Sequence, residues 1–222
     1  FHKAKTKYLV KLDSDDAFVE DTIKIYKKAW ESIALSENDD IGNIAALSMF
    51  EDGTINGNWR FRDGVDHMDS TWHEMVLKRH NHNELSNCTK TEILRAIYPS
   101  NYIFWHEDRI EIINGVFSPR ISRRCKTRYI NQIVQIVYLD APFSSGRSLH
   151  TNNKKFWRAV IDNKYFLDEN INFYFWHPKY YNHLIIKFLI STFLCHITMR
   201  ELFGEIKSFK LKILILLFMP VS

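Results

Sequence analysis

Nine residues, Tyr8-Leu9-Val10-Lys11-Leu12-Asp13-Ser14-Asp15-Asp16, constrain the fold more than any other stretch of the chain. Tyr8, Val10 and Leu12 alternate with Leu9 and Lys11 in a short β-rich run, which then stops at four residues that disfavour a strand. Glu20 and Asp21 open a helix in which Ile23, Tyr26, Trp30 and Ile33 recur at steps of three and four, with acidic groups at the positive end of its dipole. The chain must therefore hold an acidic loop between the carboxyl end of a strand and the start of a helix.

Further along, Ile44 to Phe50 reads as a buried strand ended by the turn Glu51 to Asn58, with Gly53 and Gly57. Trp59 to His82 is polar and aromatic with weak periodicity. Glu92 to Tyr98 reads as a short helix with Thr91 as its cap and Pro99 as its stop. A second helix is expected from about Glu107 to Phe117, where Ile110, Ile113 and Phe117 share a stripe. Ile130 to Leu139 is β-branched and reads as a strand. Asn153 to Tyr165 looks helical, and Phe173 to Trp176 with Pro178, Tyr180 and Tyr181 forms an aromatic hinge into a basic tail. Strands alternating with helices over the first 140 residues imply an α/β layered fold with a mixed sheet. Two parts are expected, an α/β domain over residues 1–150 and a helical extension over 151–222.

With 222 residues, 45% hydrophobic and 25% charged, the chain can bury a sizeable core, and disordered or disulfide-stapled classes are excluded. Cys88, Cys125 and Cys195 are odd in number and widely spaced, as expected of reduced thiols in a cytosol. The net charge is only +4, and it is uneven: residues 154–222 hold 10 basic against 5 acidic side chains. The same tail intersperses Phe188, Phe193, Leu211 and Phe218 with Lys187, Arg200, Lys207, Lys210 and Lys212. Its apolar runs fall short of the ~20 residues of a membrane span, so the pairing of apolar area with positive charge favours an anionic membrane surface over nucleic acid.

Packed carboxylates such as Asp13, Asp15 and Asp16 repel one another unless solvated or neutralised by a divalent cation. Mg²⁺ or Mn²⁺ suits one or two carboxylates, filling its other positions with water and phosphate oxygens. A calcium loop of the EF-hand type fails, because Ala17, Phe18 and Lys24 stand where that pattern needs an oxygen ligand, Gly and Glu. The bland alternative is a solvated Asp-rich turn.

Tyr8 to Asp16, followed by Phe18 and a helix, resembles the strand and D-x-D loop of inverting family 2 glycosyltransferases with the GT-A fold. The resemblance implies a GT-A-like mixed sheet flanked by helices, here lacking the first βαβ units. It also implies that Asp13 and Asp15 hold the metal on the diphosphate of a nucleotide-sugar donor such as a UDP-sugar, with Asp16 a further donor contact. That family carries an E-D pair about a hundred residues on, at a helix start. Glu107-Asp108 lies 93 residues beyond Asp15. By resemblance Asp108 is the base that takes the acceptor proton and Glu107 its neighbour or an acceptor contact, and Arg147 with Ser148 resembles a step that reaches donor phosphates.

Trp72, His73 and Glu74 are candidate acceptor contacts, while Trp59, Phe61 and Trp72 near Arg60 and Arg62 suit either sugar stacking or core packing. His67, His73, His80 and His82 invite a zinc reading, but His73-Glu74-Met75-Val76-Leu77 fails the H-E-x-x-H pattern. The function implied is transfer of a sugar, with inversion, to a glycan or lipid-linked glycan hydroxyl in bacterial surface polysaccharide assembly, at the cytoplasmic face of the inner membrane. Two alternatives stand beside it: a metal-dependent phosphohydrolase using the same acidic loop, and a non-catalytic membrane-associated remnant.

Overall fold

A computed structural model describes residues 3–36, 39–81, 83–97, 114–139 and 152–218, which form two compact units, one of residues 1–110 and 117–144 and the other of 111–116 and 145–222. The first unit is a mixed α/β layer. Its strands are β1 (Tyr8–Val10), β2 (Ala17–Phe18), β3 (Ile41–Phe50), β4 (His67–Ser70), β5 (Leu85–Lys90) and β6 (Lys126–Val137), and its helices are α1 (Thr22–Leu35), α2 (Thr91–Ile97) and α3 (Asn114–Ser122). The sheet runs β1-β5-β3-β6-β2, with β4 also paired to β6. β3 and β6 are parallel, and β5 lies antiparallel between β1 and β3. β2 and β4 follow one another along the outer edge of β6, both antiparallel to it.

One face of this sheet carries the main core. Ile44 and Ala46 of β3, Cys88 of β5, and Ile130 and Val134 of β6 pack against Tyr26, Trp30 and Ile33 of α1. Burial of such side chains stabilises the layer by roughly 1.5–3 kcal/mol each. The buried stripe of α1 differs from the expected one at its start: Thr22 is buried and Ile23 is 64% exposed. The Thr22 hydroxyl accounts for this, since it donates to the Val134 carbonyl at 2.6 Å and turns Ile23 outward. Glu20 and Asp21 precede the helix, and Asp21 gives no side-chain cap.

Other elements depart from expectation at their ends. β1 stops at Val10, two residues early, leaving Leu12 exposed. Thr91 is the first residue of α2 rather than its cap: its N–H donates to the Lys7 carbonyl while its buried hydroxyl has no partner. β6 begins at Lys126, before its β-branched run. α3 extends past Phe117 through Pro119 to Ser122, and Phe117 packs on Leu94, Ile97 and Ile121. The expected positions of Ile110 and Ile113 lie outside the described residues.

The second unit is helical: α4 (Asn152–Asn170), a 3₁₀ turn (Ile171–Trp176), α5 (Pro178–Leu194), α6 (Met199–Glu205) and α7 (Phe209–Phe218). The aromatic hinge is thus a 3₁₀ turn between two longer helices. Leu167, Tyr181, Ile185, Phe188, Leu211 and Ile215 are buried in this unit. Asp168 of α4 accepts the N–H groups of Lys207 (3.0 Å) and Ser208 (2.6 Å), so one helix satisfies orphan donors at the start of another. Thr198 and Glu201 close a capping box on α6. No described helix is long and apolar enough to cross a membrane.

Candidate functional site

The acidic loop leaves β1 at one edge of the sheet and enters β2 at the other, so it has to pass the three strands between them. A turn closes it, with the Asp16 N–H donating to the Asp13 carbonyl at 3.1 Å. Its far end is fastened to the carboxyl end of β6: Gln135 Nε2 donates to Asp16 Oδ2 at 2.6 Å, and the Tyr138 N–H donates to Oδ1 at 3.4 Å. Val19 and Thr22 just beyond bond to the Val134 carbonyl of the same strand. The carboxylates are thereby held at the carboxyl end of a parallel strand, where open α/β sheets place ligands.

The three acids are not equivalent. Asp13 pairs with Lys11 at 2.7 Å, both groups being exposed. Asp15 is half-buried and makes no hydrogen bond or ion pair with another described residue. Burial pushes the Asp16 carboxyl above its ordinary range, and the charges of Asp15 and Asp13 push the same way, while the Gln135 and Tyr138 donors pull it down. Among the described residues no group of three or more His, Cys, Asp or Glu side chains converges to hold an ion. The donor set fits an open site of one or two carboxylates, in which a hard cation completes its shell with water and phosphate, and does not fit a closed all-protein cage. A cation at Asp13 would compete with the Lys11 ammonium.

A second feature lies on the opposite face of the sheet from α1. After β4 the chain forms a π-helix, Glu74–Lys78, which packs Met75 onto Ala45 and Tyr129. Two residues past its end His80 holds φ +54, a left-handed conformation rare outside glycine. Between π-helix, sheet and α3 lies a cleft of about 110 Å³ whose lining includes Asn43, Trp72, Asn81, Asn87, Ser118 and Thr127. A hydrogen-bonded row crosses the sheet beneath it. Asn43 Nδ2 donates to Asn87 Oδ1 (2.9 Å) and Thr127 Oγ1 (3.3 Å), and Thr89 Oγ1 donates to Asn43 Oδ1 (2.6 Å).

The chain matches no protein-family model and no curated protein sequence.

Of the residues singled out from the sequence, Asp13, Asp15 and Asp16 come together in one loop. Trp72 lines the cleft instead, whose lining excludes all three acids. His73 Nδ1 lies 3.3 Å from Ser122 Oγ, which also accepts the Trp72 N–H, and Glu74 accepts from the Ser70 hydroxyl at 2.8 Å. Both side chains thus have structural partners beside the cleft. Trp59 and Phe61 meet edge to face at 4.5 Å and pack on the core of this face, which settles them as packing residues. His67 lies on β4, whereas His73 and His80 stand at opposite ends of the π-helix. Glu107, Asp108, Arg147 and His82 lie outside the described residues.

Sequence reasoning passed over Asn43, Asn81, Asn87 and Thr127. The available signal was Asn at interior strand positions, where its β propensity is poor and a hydrogen-bonding reason is needed.

Proposed function

We propose that the first unit is a glycosyltransferase domain of the inverting family 2 type, with a GT-A-like sheet, which moves a sugar from a nucleotide-diphosphate donor to a hydroxyl of a glycan or lipid-linked glycan. The observation that carries this reading is the acidic loop itself, fastened by Asp16 to the carboxyl end of β6 in a mixed sheet and leaving Asp15 without a partner among the described residues. Asp15 and Asp13 would hold Mg²⁺ or Mn²⁺, whose chemistry is to neutralise charge on the departing diphosphate. Asp16, braced by Gln135, sets the orientation of the loop that presents them. Asp108 is assigned the acceptor proton and Glu107 its support, both by resemblance. Arg147 is given the donor phosphates on the same ground, and Trp72, His73 and Glu74 the acceptor side.

The helical unit supports an accompanying role at an anionic membrane, because it turns both large apolar and basic side chains outward. Phe175 and Trp176 of the 3₁₀ turn are 81% and 79% exposed, and Phe193, Phe209 and Leu217 are also exposed. Lys179 and Lys187 on α5 and Lys210 on α7 share that exposure. An enzyme with a lipid-linked acceptor would gain from staying on the cytoplasmic face of such a membrane.

Calorimetric titration with UDP, with and without Mn²⁺, tests the donor assignment. Binding should require the metal and weaken at least roughly tenfold in Asp15→Asn, about 1.4 kcal/mol. Metal-independent binding, or an unchanged Asp15→Asn, would remove the loop from the donor site. Incubation with UDP-sugars then separates transfer to an acceptor from release of free sugar or phosphate, the outcome that favours a phosphohydrolase, and from no reaction, the outcome that favours a remnant.

A further inference from the structure

We infer that the cleft between the π-helix and the sheet is a binding site for a neutral, hydroxyl-bearing ring of about monosaccharide size, with the Asn81 side-chain amide as its free donor. The inference shares Trp72 with the acceptor side of the transferase reading but does not rest on that reading, since it concerns the opposite end of β6 and uses none of the residues of the acidic loop.

Asn81 is 4% exposed, and its Nδ2 has no hydrogen-bond partner among the described residues. The orientation of the amide is determined by its neighbour: the Asn83 N–H donates to Asn81 Oδ1 at 2.9 Å, so the oxygen must face Asn83 and the NH₂ is the end left over. A buried amide donor without a partner is costly, and such groups in folded proteins are met by water or by a ligand. The adjoining amides cannot relieve it, because Asn43 is saturated by Asn87, Thr89 and Thr127, and Asn83 is turned to Trp59, accepting its N–H and donating to its carbonyl.

The lining then selects the ligand. Among the described residues that form it, none is acidic or basic, so an ion would enter without a counter-charge. Amides and hydroxyls from Asn81, Asn87, Ser118 and Thr127 alternate with apolar surface from Ala45, Met75 and Val76, and Trp72 adds an indole. That mixture suits a ring with polar edges and apolar faces. The cleft has room for roughly seven to ten water-sized groups, the scale of one sugar ring. The backbone that shapes it is of a kind met at binding sites, a π-helix followed by a left-handed His80.

Saturation-transfer NMR on the full chain with methyl β-glucoside and N-acetylglucosamine, against glucuronate and glucosamine as charged controls, tests the inference. The neutral sugars should bind and the charged ones should not. On titration the side-chain amide resonances of Asn81 and Asn87 should shift in the ¹⁵N spectrum. Val76→Phe, at a half-buried lining position, adds apolar volume to the cleft and should cut binding at least about tenfold while thermal unfolding stays close to the wild type. Asn81→Asp keeps the bond to the Asn83 N–H and loses the free donor, so it should cost about five- to tenfold, the worth of one hydrogen bond. Absence of saturation transfer from both neutral sugars means that the cleft holds water alone and overturns the inference. So do equal binding of the charged sugars and silent Asn81 and Asn87 amides during titration. The amide shifts decide the matter even where a variant fails to fold.

Discussion

Asp16 carries a cost that its neighbours do not remove. Its carboxyl is pushed up by burial first and by Asp15 and Asp13 after that, against the pull of Gln135 and Tyr138. A carboxyl whose folded pKa lies above its unfolded value is easier to ionise in the unfolded chain, so ionisation draws the protein toward unfolding. That penalty is fully present above the folded pKa and disappears as pH falls below the ordinary value of 3.8. Asn at this position keeps one oxygen to accept from Gln135, gives up only the long 3.4 Å bond from the Tyr138 N–H, and sheds the charge. Asp16→Asn is therefore expected to raise the thermal unfolding midpoint at pH 7, with the gain shrinking toward zero near pH 4. A constant gain across that range would mean that the ionised carboxylate is not the source of the effect. Under the proposed function, that penalty is the cost of holding a charge where a ligand binds.

At the scale of elements, Arg128 of β6 is the fastening between strands and helix. It is 5% exposed and forms a two-pronged pair with Asp69 on β4, Nε to Oδ1 and Nη2 to Oδ2 at 2.8 Å each, while Nη1 donates to Ser32 of α1 at 3.1 Å. Asp69 and Arg128 also face each other in the strand register. Removing the acid leaves a buried guanidinium short of its partner, so Asp69→Ala should cost roughly 3–5 kcal/mol in urea unfolding, whereas the double change Asp69→Leu with Arg128→Met should recover most of it. A loss under about 1 kcal/mol for Asp69→Ala would show that water replaces the carboxylate.

The elements readable in the sequence were those with an apolar period: β1, α1, β3, α2, β6 and the helical character of the second unit. α1 was legible because Tyr26, Trp30 and Ile33 face one core. β5 was not, since Leu-Ser-Asn-Cys-Thr-Lys is mostly polar and small, and its strand identity rests on backbone pairing with β1 and β3 on either side. The π-helix has no period of its own in five residues. Of the candidate site, the acidic loop was visible as a string of charge, but its attachment to Gln135 lies 119 residues away and is a property of the sheet order.

For the whole molecule, the helical unit divides the apolar tail into two sets. Ile185, Phe188, Leu211 and Ile215 are inside, where the sequence alone had grouped them with the surface-seeking residues. Ile190, Phe193, Phe209, Ile213, Leu216 and Leu217 remain outside. Cosedimentation with anionic vesicles should accordingly fall with salt and drop at least tenfold in the double variant Phe193→Ser, Leu217→Ser, since each large side chain withdrawn from the interface forfeits up to roughly 1.5–3 kcal/mol. Binding that survives these changes would assign the outward apolar set to another partner. The sheet of the first unit has a different consequence, in time rather than space. β1 pairs with Cys88 to Lys90 and β2 with Gln135 and Ile136. At about 5–20 residues per second, the ribosome makes Phe18 roughly 6 to 24 seconds before its partner on β6 exists. Closing so long a span is also slow in itself. The acidic loop, made well before the strand that fastens it, is thus among the last parts of the first unit to take shape.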